Sequence, residues 1–363
     1  MALNGGAAGA KRLALRTAGA GAVAVSGSLD VGLNTNVGGW SDEAARMNEI
    51  ESQSGTKWMR EAFDWSQIEP RRGTYDFSRY DWLVTLAAQN KVHLVANLVD
   101  TPSWAGAAWN TIPTDPSGFA EFVSTIVGRY GPHGSFWSTH PDLPKVPVRT
   151  YELLNEPYYD NGNAGDYDPG RYARLVKAAG TAGHSADRGA GFLLAAENEA
   201  RSVGDSWMWW VAALYQAVPD LNDYFDGVAV HPYGTDLTNL SYPTPGRAYT
   251  GYDQIRRVES IRREFVAHDA ADKPLWLTEV GWPTCTDGGS SRCTTTTGQA
   301  QRIQSVFDYA RRTWKDYVQG IFVYGYQDNG QNSADPDNDY GLVTWSGAAK
   351  PSLAVFKNQL ALG

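Results

Sequence analysis

The sequence predicts a single-domain α/β fold, an eight-stranded parallel (β/α)8 TIM barrel, and three observations carry that prediction. Apolar strand-like runs alternate with amphipathic helical runs at steady spacing from about residue 30 to the end of the 363-residue chain. The strand runs are near-continuously apolar, as expected for strands covered on both faces by helices. About eight such units at this length favour a closed barrel over an open sheet.

Taken in order, Asp30–Asn36 reads as the first strand, followed by a helix over Asp42–Gln53 capped by Ser41. Thr56–Arg60 is the second strand, Glu61–Tyr75 a loop and Asp81–Gln89 a helix. Lys91–Leu98 is the third strand and Asp100–Trp109 its loop, with a helix over Pro116–Tyr130. The fourth strand, Val148–Leu154, runs into Asn155-Glu156-Pro157, where proline ends the ladder. A helix over Pro169–His184 leads to a fifth strand, Ala190–Ala196, ending at Glu197. Trp207–Ala217 reads as a helix, and Phe225–Val230 as a sixth strand ending in His231-Pro232-Tyr233. Asp253–His268 is helical, Pro274–Thr278 is the seventh strand, and Gly298–Trp314 is its helix. Val318–Tyr326 is the eighth strand and Lys350–Ala361 a closing helix. Residues 30–363 thus form one barrel, with 1–29 an Ala/Gly-rich leader or flexible N-terminal segment.

Composition excludes some functions. A net charge of −9 with no basic cluster argues against nucleic acid as a partner. No run is apolar and long enough to span a bilayer. The six histidines are scattered, with no His-Glu-x-x-His and no paired-cysteine spacing, so neither a metal nor a cofactor is expected. Cys285 and Cys293, eight residues apart in a Gly/Ser/Thr-rich loop, read as a loop-stapling disulfide or as two free thiols. A disulfide points to an oxidising compartment, and with the leader it suggests a secreted, extracellular protein. A monomer is expected. Several of the 14 tryptophans stand in loop-like contexts: Trp40, Trp104, Trp109, Trp137, Trp282 and Trp345. Aromatic faces on loops suit sugar rings, so an oligo- or polysaccharide is the expected partner.

The chemistry concentrates on two acids. Glu156 follows the fourth strand and Glu279 closes the seventh, so a barrel brings both to its C-terminal mouth. Two carboxylates facing across a cleft can split a glycosidic bond, one donating a proton to the leaving oxygen while the other bonds the anomeric carbon. One must therefore hold a proton while the other stays ionised. The alternative for each is a helix cap or an ion-pair partner. Glu152, four residues before Glu156 and within the fourth strand, reads as a barrel-interior hydrogen-bond partner. Asp64 and Glu69 read as loop-structuring, while Glu197 and Glu199 are candidate subsite acids.

Asn155-Glu156-Pro157 together with Thr278-Glu279-Val280-Gly281-Trp282-Pro283 resembles the two signatures of clan A glycoside hydrolases, the retaining β/α-barrel glycosidases. That resemblance implies Glu156 as acid/base, Glu279 as nucleophile and Asn155 as the contact to the substrate 2-hydroxyl. It implies Arg60 and Tyr233 as hydrogen-bond partners of the nucleophile and His231 as a subsite residue. Trp104, in Thr101-Pro102-Ser103-Trp104-Ala105, resembles the cleft-bordering loop of xylosidase-type and cellulase-type members. The clan's strand-eight tryptophan is replaced by Tyr324-Gly325-Tyr326, so either tyrosine is a candidate platform, with Trp282 and Glu197 as further binding residues. The expected activity is retaining cleavage of a β-linked glycan, endo-acting on a glucan-like backbone. Exo-acting xylosidase, arabinosidase or exopolysaccharide hydrolase action, and a non-catalytic carbohydrate-binding barrel, are the alternatives.

Overall fold

The structure is a computed structural model, and it describes residues 28–35, 37, 42–106, 111–158, 167–197, 200–203, 206–234, 237, 255–285 and 292–362. Ten strands are present among them: β1 (Asp30–Asn34), β2 (Trp58–Asp64), β3 (His93–Val99), β4 (Thr150–Leu153), β5 (Gly191–Ala195), β6 (Ala200–Val203), β7 (Ser206–Trp209), β8 (Gly227–Val230), β9 (Leu275–Val280) and β10 (Val318–Tyr324). Eight of them close a barrel in the order β1-β10-β9-β8-β5-β4-β3-β2, every neighbouring pair parallel. The predicted fold class is therefore the observed one.

The helices are α1 (Glu43–Ser54), α2 (Trp65–Ile68), α3 (Ser78–Asn90), α4 (Ser117–Tyr130), α5 (Ser135–Thr139), α6 (Pro169–Ala186), α7 (Trp210–Ala217), α8 (Arg257–Ala267), α9 (Thr296–Tyr309) and α10 (Pro351–Leu360). Local chemistry sets their ends. Asp42, rather than Ser41, caps α1 by accepting from the Ala45 amide, and Ser41 lies outside the described residues. Asp168 caps α6 by accepting from the Arg171 amide, and Pro169 takes the first helical position.

Several boundaries differ from expectation. β2 starts at Trp58 and continues to Asp64, pairing with β3 along its whole length, so Arg60 sits within the strand instead of ending it. Residues 206–209 pair antiparallel with 200–203 as a hairpin, so α7 begins at Trp210 and not at Trp207. β10 stops at Tyr324, two residues early, and α9 ends in a π-helical turn over Ala310–Trp314. The leader up to residue 27, Trp40, Trp109 and Glu199 lie outside the described residues. No helix among the described residues is long and apolar enough to cross a membrane.

The barrel interior is layered. Its floor is a separate apolar cluster of Val95, Leu193, Ala229, Trp276 and Phe322, with Trp58 packed against it. Two glycines make room for these rings. A Cβ on Gly32 would lie 2.5 Å from Phe322 Cε1, and one on Gly320 would lie 2.6 Å from Trp276 Cε3. The larger core lies between the barrel's outer face and the helices. One layer above the floor the inward side chains turn polar: Arg60, Asn97, Glu152, His231 and Thr278, all buried. The apolar floor seals that polar layer from below. Cys285 and Cys293 form a disulfide, with Cα atoms 5.2 Å apart, that staples the loop after β9.

Trp276→Ala removes the largest ring of the floor without touching the polar layer. It is expected to cost about 3–5 kcal/mol, the range for emptying a buried aromatic site. Urea unfolding followed by tryptophan fluorescence and circular dichroism measures it.

Candidate active site

The site is built around Arg60 of β2. Its guanidinium is buried and every nitrogen is engaged. Nε and Nη2 donate to the two oxygens of Glu152 at 2.7 and 3.0 Å, a fork-on-fork pair. Nη1 donates to Glu279 Oε1 at 2.8 Å, and Nη2 also donates to Asn155 Oδ1 at 2.8 Å. Burial penalises the Glu152 charge, but the charge and hydrogen bonds of Arg60, aided by His231, outweigh it and hold that carboxyl down at about 2. One cation thus ties β2, β4 and β9 together.

Glu156 reaches the mouth through a backbone that is costly for non-glycine residues. After β4, Leu154 (φ 64°) and Glu156 (φ 45°) both stand in the left-handed region. The Leu154 amide donates to Leu98 O, which pins the turn to β3. Glu156 Oε1 then accepts from His231 Nδ1 at 2.8 Å.

His231, just past β8, faces three acids. Its Nε2 lies 3.1 Å from Thr278 Oγ1 and 3.4 Å from Glu152 Oε1, and Nδ1 lies 3.7 Å from Glu279 Oε2. Burial opposes a charge on the ring, yet Glu279, Glu152 and Glu156 together push its pKa up to about 10. A ring held at that value is protonated at neutral pH and offers both nitrogens as donors.

Glu279 receives a second donor, the Tyr233 hydroxyl, 2.6 Å from Oε2. Burial first, and then the Glu279 charge, hold the Tyr233 phenol well above its usual pKa, so it stays a donor. One oxygen of Glu156, one of Glu279 and a ring nitrogen of His231 all lie within 4.8 Å of one another. Tyr233, Tyr324 and Tyr340 pack edge-on around this corner, with ring centroids 5.4–6.2 Å apart.

Of the sequence candidates, Glu156, Glu279, Arg60, Asn155, His231 and Tyr233 converge here. Four do not reach the pair. Tyr326 is buried against α1, its hydroxyl donating to Gln53 Oε1 at 2.8 Å and its ring under the Arg46 guanidinium. Tyr324 holds the cleft position instead, because β10 ends there. Glu197 is fully buried and paired with Arg257, Nε to Oε2 3.1 Å, while Arg257 also donates to the His231 carbonyl at 2.7 Å. It braces His231 from behind. Trp282 is buried, donates its indole N–H to the Gly234 carbonyl and so supports the Tyr233 segment. Trp104 packs edge-to-face on Trp65 and donates to the Glu69 carbonyl at 2.9 Å, which makes it a buttress of the rim.

The expectation of open aromatic loops fails for most described cases. Trp137 and Trp282 are buried, and Trp345 is the exposed one among the four described loop tryptophans. Glu69, as expected, structures its loop by accepting from Trp65 Nε1 and the Gly73 amide. Asn97 and Thr278 went unrecognised because an Asn or Thr inside an apolar strand carries no distinctive sequence signal.

The two shifted groups fix opposite edges of the stability profile. Glu152 titrates lower in the fold than in the unfolded chain, so its contribution is present above about pH 4.3 and is lost as pH falls toward about 2. His231 titrates higher in the fold, so its contribution is full below about pH 6.5 and drains away as pH rises toward about 10. Midpoints of urea unfolding against pH are expected to fall on both sides. His231→Asn is expected to flatten the alkaline limb, and Glu152→Gln the acid limb.

Comparison with known proteins comes last. A glycoside hydrolase family 42 model, described as beta-galactosidase, matches residues 36–125. A family 39 glycoside hydrolase from the gut symbiont Bacteroides cellulosilyticus WH2 superposes with a TM-score of 0.65 at 18% identity, over 92% of this chain and 64% of that one. A monomeric beta-xylosidase from Caulobacter crescentus CB15 gives 0.64 and 18%, over 94% and 69%. Xylanase 10B from Thermotoga maritima gives 0.59 and 16%, over 93% and 96%. The chain spans 64% of the length of the first of these, and at such identities the likeness establishes a shared fold.

Proposed function

We propose that this protein is a retaining glycoside hydrolase of clan A that cleaves a β-linked oligo- or polysaccharide by double displacement. The observation that carries the proposal is the approach of Glu156 and Glu279, one oxygen of each within 4.8 Å, at the mouth of the barrel. Carboxyl groups about 5–5.5 Å apart suit a nucleophile that bonds the sugar directly, whereas inverting pairs stand wider to admit water.

In the first step Glu156 passes its proton to the glycosidic oxygen as the bond to the anomeric carbon breaks. Glu279 forms a bond to that carbon from the opposite face, and the aglycone leaves as an alcohol. In the second step Glu156 takes a proton from water. The oxygen attacks the anomeric carbon and Glu279 departs as a carboxylate, giving net retention. Arg60 and Tyr233 both donate to Glu279, one to each oxygen, and so fix the direction of its carboxyl group. His231 donates to Glu156 and orients it. Arg60 and Asn97, at 3.4 Å, both donate to Asn155 Oδ1, so Asn155 Nδ2 is the atom left to donate to the sugar's 2-hydroxyl.

The fold neighbours described as beta-xylosidase and xylanase support a glycan substrate, and they favour exo-xylosidase action as the second reading. The Cys285–Cys293 disulfide supports an oxidising, extracellular location.

Glu279→Gln is expected to abolish turnover of aryl β-glycosides. Glu156→Ala should lower kcat by about 10²–10⁴-fold, the usual worth of a positioned acid/base. Sodium azide should then restore activity toward activated aryl glycosides in Glu156→Ala and yield the β-glycosyl azide by NMR. Undiminished activity in both variants, or inversion at the anomeric carbon, overturns the proposal.

A further inference from the structure

A buried ion pair stands behind the polar layer. Glu197, just past β5, is fully enclosed, and the side chain of Arg257, the first residue of α8, is only 2% exposed. Arg257 Nε lies 3.1 Å from Glu197 Oε2, and Nη2 donates to the His231 carbonyl at 2.7 Å. That carbonyl accepts a second hydrogen bond, from the Tyr233 amide at 2.8 Å, which closes a γ-turn around Pro232. Proline's fixed φ suits the middle of such a turn. Both lone pairs of one oxygen are then occupied.

The turn carries one donor for each of the two acids. His231 Nδ1 lies 2.8 Å from Glu156 Oε1, and the Tyr233 hydroxyl lies 2.6 Å from Glu279 Oε2. β8 ends at Val230, one residue earlier, so the sheet ladder does not fix the turn. Two considerations separate the ion pair from plain stabilisation. A buried ion pair is weak support for a fold, since apolar side chains of similar size serve as well or better. A cation in the first turn of α8 also opposes the helix dipole. Arg257 stands against both preferences, and what its position secures is a grip on the His231 carbonyl.

We propose that Arg257, with Glu197 as its counter-ion, is a positioning residue for the acid/base: by clamping the His231 carbonyl it aims the His231 ring at Glu156. The inference rests on the glycosidase reading and deepens it. The clamp draws on the ends of β5 and β8 and the start of α8, so a helix outside the barrel helps to hold the acid that protonates the leaving group. A tilt of the His231 ring would let Glu156 swing from the glycosidic oxygen. The loss is then greatest where that oxygen most needs a proton. Lysine at 257 would keep a charge opposite Glu197 but not the planar fork that reaches a carboxylate and a carbonyl at once.

The test compares phenyl and 2,4-dinitrophenyl β-glycosides of glucose and xylose as substrates of the wild type and of the double variant Glu197→Leu/Arg257→Met. That variant removes both charges together and leaves neither one buried alone. A dinitrophenolate departs with little help from an acid, whereas a phenolate needs a proton. In the double variant the ratio of kcat/KM for the phenyl to the dinitrophenyl glycoside should fall at least about fivefold, within the roughly 10²-fold that a slight misplacement of a catalytic group can cost. Partial unfolding lowers both values by the same factor and leaves the ratio unmoved, and circular dichroism and the melting temperature report it separately. Should the double variant not fold, Arg257→Lys decides the matter on the same ratio. A smaller fall in a folded variant, with or without a general loss of activity, overturns the clamp and leaves the glycosidase reading standing. No turnover of any of these glycosides by the wild type strikes at the glycosidase reading itself, and the clamp falls with it.

Discussion

One buried guanidinium holds the site together. Arg60 spends all of its nitrogens on Glu152, Glu279 and Asn155. Removing a charge from water is expensive, and a buried Arg is stable only where anions and acceptors surround it closely. The arrangement is therefore reciprocal. Glu152, its carboxyl held down at about 2, gives Arg60 a charge partner independent of Glu279. Under the proposed double displacement, bonding Glu279 to a sugar would strip the buried cation of its partner were Glu279 its sole counter-ion. Glu152 absorbs that cost.

The same logic extends to His231. Its positive charge is supported by three acids on two strands and the turn after β4, and its backbone carbonyl is anchored by Arg257, itself paired with the buried Glu197. The polar layer thus interleaves two basic groups, Arg60 and His231, with the carboxyl groups of Glu152, Glu156 and Glu279. Such a layer is sustainable inside a barrel because the floor of Trp276, Phe322 and their neighbours keeps water out from below. Opposite charges then face one another in a medium that screens them poorly.

What the chain's sequence discloses follows from how local each signal is. The eight apolar strands were legible because burial on both faces demands continuous hydrophobic runs. Glu156 and Glu279 were legible because each stands at the end of an apolar strand, the first stopped by Pro157, and a barrel gathers those ends at one mouth. Arg60, Asn155, His231 and Tyr233 were legible through the resemblance of their short motifs to a known clan. Misreadings arose where side-chain direction decides. Tyr326 stands two residues past Tyr324, beyond the end of β10, and is drawn to Gln53 and Arg46 on α1. Glu197 lies at a strand end as Glu156 does, yet points to Arg257. Nothing in either tripeptide separates a strand-end acid that faces the mouth from one that faces a helix. Trp137 and Trp282 sat among loop-forming neighbours, but a tryptophan near a loop still buries when its N–H finds a carbonyl, Tyr130 for one and Gly234 for the other.

The turn after β4 shows the least sequence-visible feature bearing on chemistry. Leu154 and Glu156 occupy left-handed backbone that a glycine would adopt more cheaply, and neither is glycine. Glycine cannot replace Glu156 without losing the acid. At Leu154 the side chain is buried in the main core, so its packing offsets the backbone cost. The turn is held by the Leu154 amide on Leu98 O and by the pull of His231 on the Glu156 carboxyl. The acid's position therefore depends on contacts from β3 and β8 rather than on any preference of its own segment. A barrel suits such a residue because its closure brings β3, β4 and β8 to one rim, where distant parts of the chain can share the cost of holding one side chain in place.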